Sequence, residues 1–73
     1  MKKKKQLQKI YTRIRKSRTE KGYSQQFVAD LLNISQNAYC KIENGQTRLL
    51  VSTLLAITEI LEVKLCDILK GIK

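Results

Sequence analysis

The stretch Ser24–Gly45, SQQFVADLLNISQNAYCKIENG, decides the fold of this 73-residue chain. It holds two serines, each followed by a short segment with apolar residues at helical spacing, and serine is a preferred N-cap residue. The pattern predicts one helix from Gln25 to about Leu32 and a second from Gln36 to about Asn44. Only Asn33 to Ser35 join them, and asparagine tolerates the positive φ of a tight turn. The stretch therefore predicts a helix-turn-helix arrangement.

The second of these helices has two different faces. Tyr39 and Ile42 lie three residues apart, so both are expected to point into the core. The opposite face carries Gln36, Asn37 and Lys41. In the DNA major groove, Asn and Gln pair bidentately with adenine, and Lys reaches O6 or N7 of guanine. These residue types at this spacing predict a helix that reads base edges.

Helical spacing continues on both sides of this stretch. One helix is predicted before it, from about Leu7 or Ile10 to Lys21, and two after it, Thr53 to Leu61 capped by Ser52 and Leu65 to Lys70. The chain has no proline to interrupt them. The predicted fold class is all-α, a five-helix bundle. The apolar residues expected to face its core recur three or four apart: Ile10 and Ile14, then Val28, Leu31 and Leu32, then Tyr39 and Ile42.

The positive charge is concentrated at the N-terminus. The chain has 15 Lys and Arg against 6 Asp and Glu, and ten of the basic residues fall within positions 1–21 beside a single acid, Glu20. This asymmetry favours a polyanionic partner, either nucleic acid or an anionic membrane surface. Residues 1–9 are interpreted as a basic arm, and residues 10–73 as the DNA-binding domain. The lysine run is either a solvated tail or an arm whose Lys3, Lys4 and Lys5 contact DNA phosphates.

The composition excludes several classes of protein. The chain has no histidine and only two cysteines, so a catalytic site, a zinc site and a bound cofactor are not expected. The longest apolar-rich stretch, Leu49–Leu61, is too short and too polar to span a bilayer. Few cysteines and no recognisable signal peptide predict a cytoplasmic, nucleoid-associated protein.

From Ile10 to Leu69 the sequence resembles the phage repressor and Cro family of helix-turn-helix domains, also called the XRE family. The matching text is IRKSRTEKGYSQQFVADLLNISQNAYCKIENG at residues 14–45 and LLAITEILEVKLCDIL at residues 54–69. Its most specific parts are SQxxVA, ISQ and KIENG at the family's spacing. The resemblance implies the five-helix repressor-like bundle and a DNA-binding function.

The resemblance also implies roles for individual residues. The outer face of the third helix takes the family's base-reading positions, other polar residues approach the DNA backbone, one ion pair lies inside the domain, and the last helices pair two subunits. In that order, these residues are Gln36, Asn37 and Lys41; Gln25, Asn44 and Arg48; Arg18 and Glu43; and Val63, Leu65 and Ile68.

The leading hypothesis is a sequence-specific transcriptional regulator, a repressor that binds a pseudo-palindromic operator on double-stranded DNA as a homodimer. The alternative is an antitoxin that binds a toxin and represses its own operon. The C-terminal part also resembles the ending of controller proteins of restriction-modification systems. A membrane-surface peptide is disfavoured, because the apolar residues are spread over five short helices instead of one amphipathic helix.

Overall fold

The structure, a computed structural model, describes the backbone of residues 2–72 and the side chains of residues 7–72. Five helices follow one another: α1 (Lys2–Glu20), α2 (Gln25–Leu32), α3 (Gln36–Glu43), α4 (Val51–Leu61) and α5 (Leu65–Leu69). No strand occurs within residues 2–72. The prediction of an all-α, five-helix bundle is confirmed.

The turn between α2 and α3 is fixed by short-range interactions. The side chains of Ser24 and Ser35 each accept a hydrogen bond from a backbone N–H in the first turn of their helix. Asn33 takes the left-handed conformation at φ 61°, and the N–H of Ile34 returns to the carbonyl of Ala29 at 3.0 Å. These bonds satisfy groups that helix ends otherwise leave unpaired, so the angle between the two helices follows from local sequence.

The core forms where α1 packs across α3, α4 and α5, and where α2 packs against α3 and α4. Burial of each large aliphatic side chain contributes about 1.5–3 kcal/mol. One predicted core residue lies elsewhere, because Leu31 points outward from α2 and is 55% exposed. The buried cluster consists of Ile10, Ile14, Val28, Ala29, Tyr39, Ile42, Leu54, Ile57, Leu61 and Ile68.

Two predicted helix starts are wrong. Helix α1 begins at Lys2 instead of Leu7 or Ile10, although the side chains of the lysine run lie outside the described residues. Helix α4 begins at Val51, and its N-cap is Leu50, which makes no side-chain capping bond. The N–H of Leu54 already bonds to the carbonyl of Leu50 at 2.9 Å. Ser52 therefore lies inside the helix and does not cap it.

Gly45, directly after α3, lets the chain pass close to α1. Its φ is +71°, and a Cβ at this position would lie 2.7 Å from Cε2 of Tyr11. Any larger residue would have both an unfavourable backbone conformation and a clash with the buried Tyr11 ring. The glycine thus sets how closely the end of α3 approaches α1.

The last helix is tied to the first one. Nη1 of Arg13 donates to the carbonyl of Ile68 at 2.8 Å and to that of Lys70 at 2.6 Å. The side chain of Ile68 is only 2% exposed and belongs to the core. Ile68 therefore cannot supply a dimer surface, and that part of the interface prediction is wrong. Val63 and Leu65 are half-buried against the same core.

Candidate nucleic-acid interface

The outer face of α3 presents a compact set of polar side chains. Gln36, Asn37 and Lys41 are exposed, whereas Tyr39 and Ile42 on the opposite face are buried. Residues 37 and 41 lie one turn apart, so their side chains are neighbours along the helix. Helix α3 therefore combines an apolar face that anchors it with a face of donors and acceptors suited to base edges.

A single buried carboxylate holds this helix from behind. Glu43 has no solvent exposure, and its Oε2 lies 2.5 Å from Nε of Arg18 and 2.6 Å from the hydroxyl of Tyr39. Its Oε1 accepts from Nη2 of Arg18 and from Nε2 of Gln25, both at 3.2 Å. We call these four residues the Glu43 network. It joins α1, the start of α2 and two turns of α3 through one charged group.

The pKa directions follow from this packing. Burial alone favours the neutral acid, but hydrogen bonds from Arg18, Tyr39 and Gln25 outweigh it and lower the pKa of Glu43 below its ordinary value. The bond to Glu43 raises the pKa of the Arg18 guanidinium. Burial, together with the bond to Glu43, raises the pKa of the Tyr39 hydroxyl. The network therefore holds one carboxylate and one guanidinium, both ionised at neutral pH.

The residues implied in backbone contact lie at the borders of α3. Asn44 is the C-cap of α3 and is exposed, and Gln25 is half-buried at the first position of α2. Arg48, in the loop before α4, is exposed and borders a groove with Asn37 and Lys41. The structure thus brings Arg48 beside the base-reading face. The side chains of Lys3, Lys4 and Lys5 lie outside the described residues.

Sequence reasoning missed Arg15. Its Nη2 donates to the backbone carbonyl of Glu43 at 3.2 Å and to Oδ1 of Asn44 at 3.1 Å, and Nε lies 3.8 Å from Oε1 of Glu43. Its side chain is 49% exposed. A cation is favourable at the C-terminal end of a helix. The only sequence signal for this residue was its place, one turn before Arg18 on α1.

Two other kinds of site find no support in the described structure. Within residues 2–72, no helix has both the length and the hydropathy of a bilayer span. The same part of the chain contains no group of three or more His, Cys, Asp or Glu side chains placed to hold a metal ion. The polar face of α3 is therefore the feature that carries a functional interpretation.

The Glu43 network predicts a specific dependence of stability on pH. Because its folded-state pKa lies below the ordinary value of 4.5, ionised Glu43 stabilises the fold above that pH, and this contribution is lost as the pH falls through the folded-state pKa. Glu43→Gln should therefore lower the free energy of unfolding by about 3–5 kcal/mol at neutral pH. The difference from wild type should shrink towards about pH 3, as measured by urea unfolding at several pH values.

The control is Glu59→Gln, which makes the same change at an exposed position of α4. It should leave stability nearly unchanged at every pH. A gap between wild type and Glu43→Gln that stays constant from neutral to acid pH would contradict the assigned role of the carboxylate.

Comparisons with known proteins agree with this geometry. Residues 14–68 match the family model described as helix-turn-helix. The chain is 44% identical over 59 residues to the SPbeta prophage-derived uncharacterized HTH-type transcriptional regulator YonR of Bacillus subtilis (strain 168). That match covers 81% of this chain and 55% of the relative, so the chain spans about half of the relative's length. No solved structure matches the chain significantly. With its fold and with a family match over most of its length, the chain belongs to the XRE-type helix-turn-helix family.

Proposed function

We propose that the chain is a sequence-specific, DNA-binding transcriptional regulator that places α3 in the major groove. Gln36, Asn37 and Lys41 read the bases in this proposal. The observation that carries it is the division of α3 into two faces, one anchored by Tyr39 and Glu43 and the other fully polar and exposed. A helix anchored in this way offers base-reading side chains from a rigid support, which binding specificity requires.

The charge distribution and the comparisons support the same proposal. The excess of basic residues at the N-terminal end matches a polyanionic partner. The relative carries the words transcriptional regulator in its name. Catalysis has no part in the proposal, since it rests on a polar face of side chains that bind and do not react. Repression is the proposed outcome, because a protein bound in the groove excludes others from the same bases.

A dimer completes the proposal. One recognition helix contacts only a few base pairs, which is too few to select one site in a genome. Two subunits related by two-fold symmetry read half-sites about 34–36 Å apart on a pseudo-palindromic operator. Leu65 and Val63 stay in the proposed interface, and the strongly exposed apolar residues at the start of α4 extend it. These are Leu50 at 54%, Val51 at 71% and Leu55 at 44% exposure.

Base reading by Asn37 is tested by separating specific from non-specific affinity. The preferred site is first selected from a pool of random duplexes. Asn37→Ala should then weaken binding to that site by ~1–3 kcal/mol per lost base contact and leave binding to a scrambled duplex nearly unchanged. Gln8→Ala removes an exposed amide from α1 and serves as the control. Equal losses on both duplexes would assign Asn37 to backbone contact and contradict base reading.

The dimer is tested on the exposed face of α4. Combined Val51→Asp and Leu55→Asp substitutions add charge at exposed positions, so the fold should persist while self-association is lost. Sedimentation should then show a folded monomer that binds the selected site weakly. Leu31→Asp places the same charge on an exposed leucine of α2 and should leave assembly intact. Full-strength binding by the double variant would overturn the dimer and favour assembly with a different protein, such as a toxin.

A further inference from the structure

We propose that Arg15, with Gln25 and Asn44, forms a binding site for one phosphate of the DNA backbone beside the C-terminal end of α3. This inference rests on the proposed function and extends it to a residue outside the helix-turn-helix. Arg15 reaches from α1 to α3, a separation of 28 residues in sequence, to contact the carbonyl of Glu43. No motif marks such a contact, and only the packing of α1 across α3 creates it.

The first argument concerns charge. Glu43 is ion-paired with Arg18, which is only 11% exposed and lies 2.5 Å away. Arg15 lies 3.8 Å from the same carboxylate and is 49% exposed. One negative charge thus faces two guanidinium groups. Because the nearer and more buried Arg18 balances Glu43, the charge of Arg15 is in excess and is directed to the solvent side of this cluster.

The second argument concerns the remaining donors of Arg15. A guanidinium has five N–H donors in a rigid fork, whose geometry matches phosphate oxygens. Nη2 donates to the Glu43 carbonyl and to Oδ1 of Asn44. Among the described residues, no acceptor meets Nη1. The two bonds of Nη2 fix the orientation of the fork, so Nη1 is held in place for an anion.

The third argument concerns the neighbours. Asn44 accepts from Arg15 through Oδ1, and its Nδ2 lies 3.3 Å from Sγ of Cys40 on the exposed side of α3. Gln25, at the first position of α2, is held by Oε1 of Glu43. Backbone N–H groups at the start of a helix favour anions. Arg15 therefore lies between two polar groups that flank the base-reading helix, where a phosphate of the bound strand is expected.

The test uses a short fluorescent duplex of random sequence, because phosphate contacts act on any sequence. Binding is measured by anisotropy between about 50 and 200 mM salt. Arg15→Ala should lower the slope of log affinity against log salt by about 0.9, so that the advantage of wild type shrinks about 3.5-fold over this range. Arg15→Lys keeps the charge, and it should keep the slope while losing affinity through the missing fork.

Two controls separate this role from others. Lys64→Ala removes one exposed positive charge before α5 and should not change the slope; an equal change would show that only net charge matters. Thermal unfolding of each variant should show a folded protein at the temperature of the assay. If wild type binds and Arg15→Ala keeps its affinity and slope, the phosphate site is overturned. If wild type itself binds no duplex, the proposed function fails instead.

Discussion

The buried carboxylate of Glu43 is the constraint on which the rest of the structure depends. An ionised group without solvent exposure is strongly unfavourable unless partners compensate it. Here the partners come from three helices: Arg18 on α1, Gln25 on α2 and Tyr39 on α3. Every buried side-chain nitrogen and oxygen among the described residues has a partner. A rotation of α3 by one residue, about 100°, would break these bonds and turn the base-reading face away.

The same geometry explains how a small domain combines order with an excess of positive charge. The opposite charges are used where burial demands balance, as in the pair of Arg18 with Glu43. The excess cations lie at exposed positions around α3, among them Lys41 and Arg48, with Arg15 half-exposed behind it. Electrostatic attraction to a polyanion and stability of the fold therefore depend on different residues.

The sequence predicted local features well and long-range ones poorly. Helix α2 and the turn at Asn33 were predicted correctly, because serine caps, apolar spacing and φ tolerance are local signals. The start of α4 was missed because Leu50 gives no capping signal. The positive φ of Glu62 had none either, since the residue is not glycine and its bond to Lys21 spans 41 positions.

For the candidate site, the sequence placed α3 and its exposed residues, because their spacing separates two faces of one helix. It could not place Arg15, whose partners lie 28 and 29 residues away. Nor could apolar spacing tell core from surface at the C-terminus. Ile68 looked available for an interface, but the contact of α5 with α1 buries it. The central claim, that the Glu43 network presents the outer face of α3 to DNA, is tested most directly by an NMR titration of the ¹⁵N-labelled protein with duplex DNA. The account predicts that the backbone amides of α3 and of the start of α2, and the side-chain amides of Gln36 and Asn37, shift while those of α5 stay in place. Shifts confined to α5 or to the outer side of α2, with α3 unchanged, would contradict it.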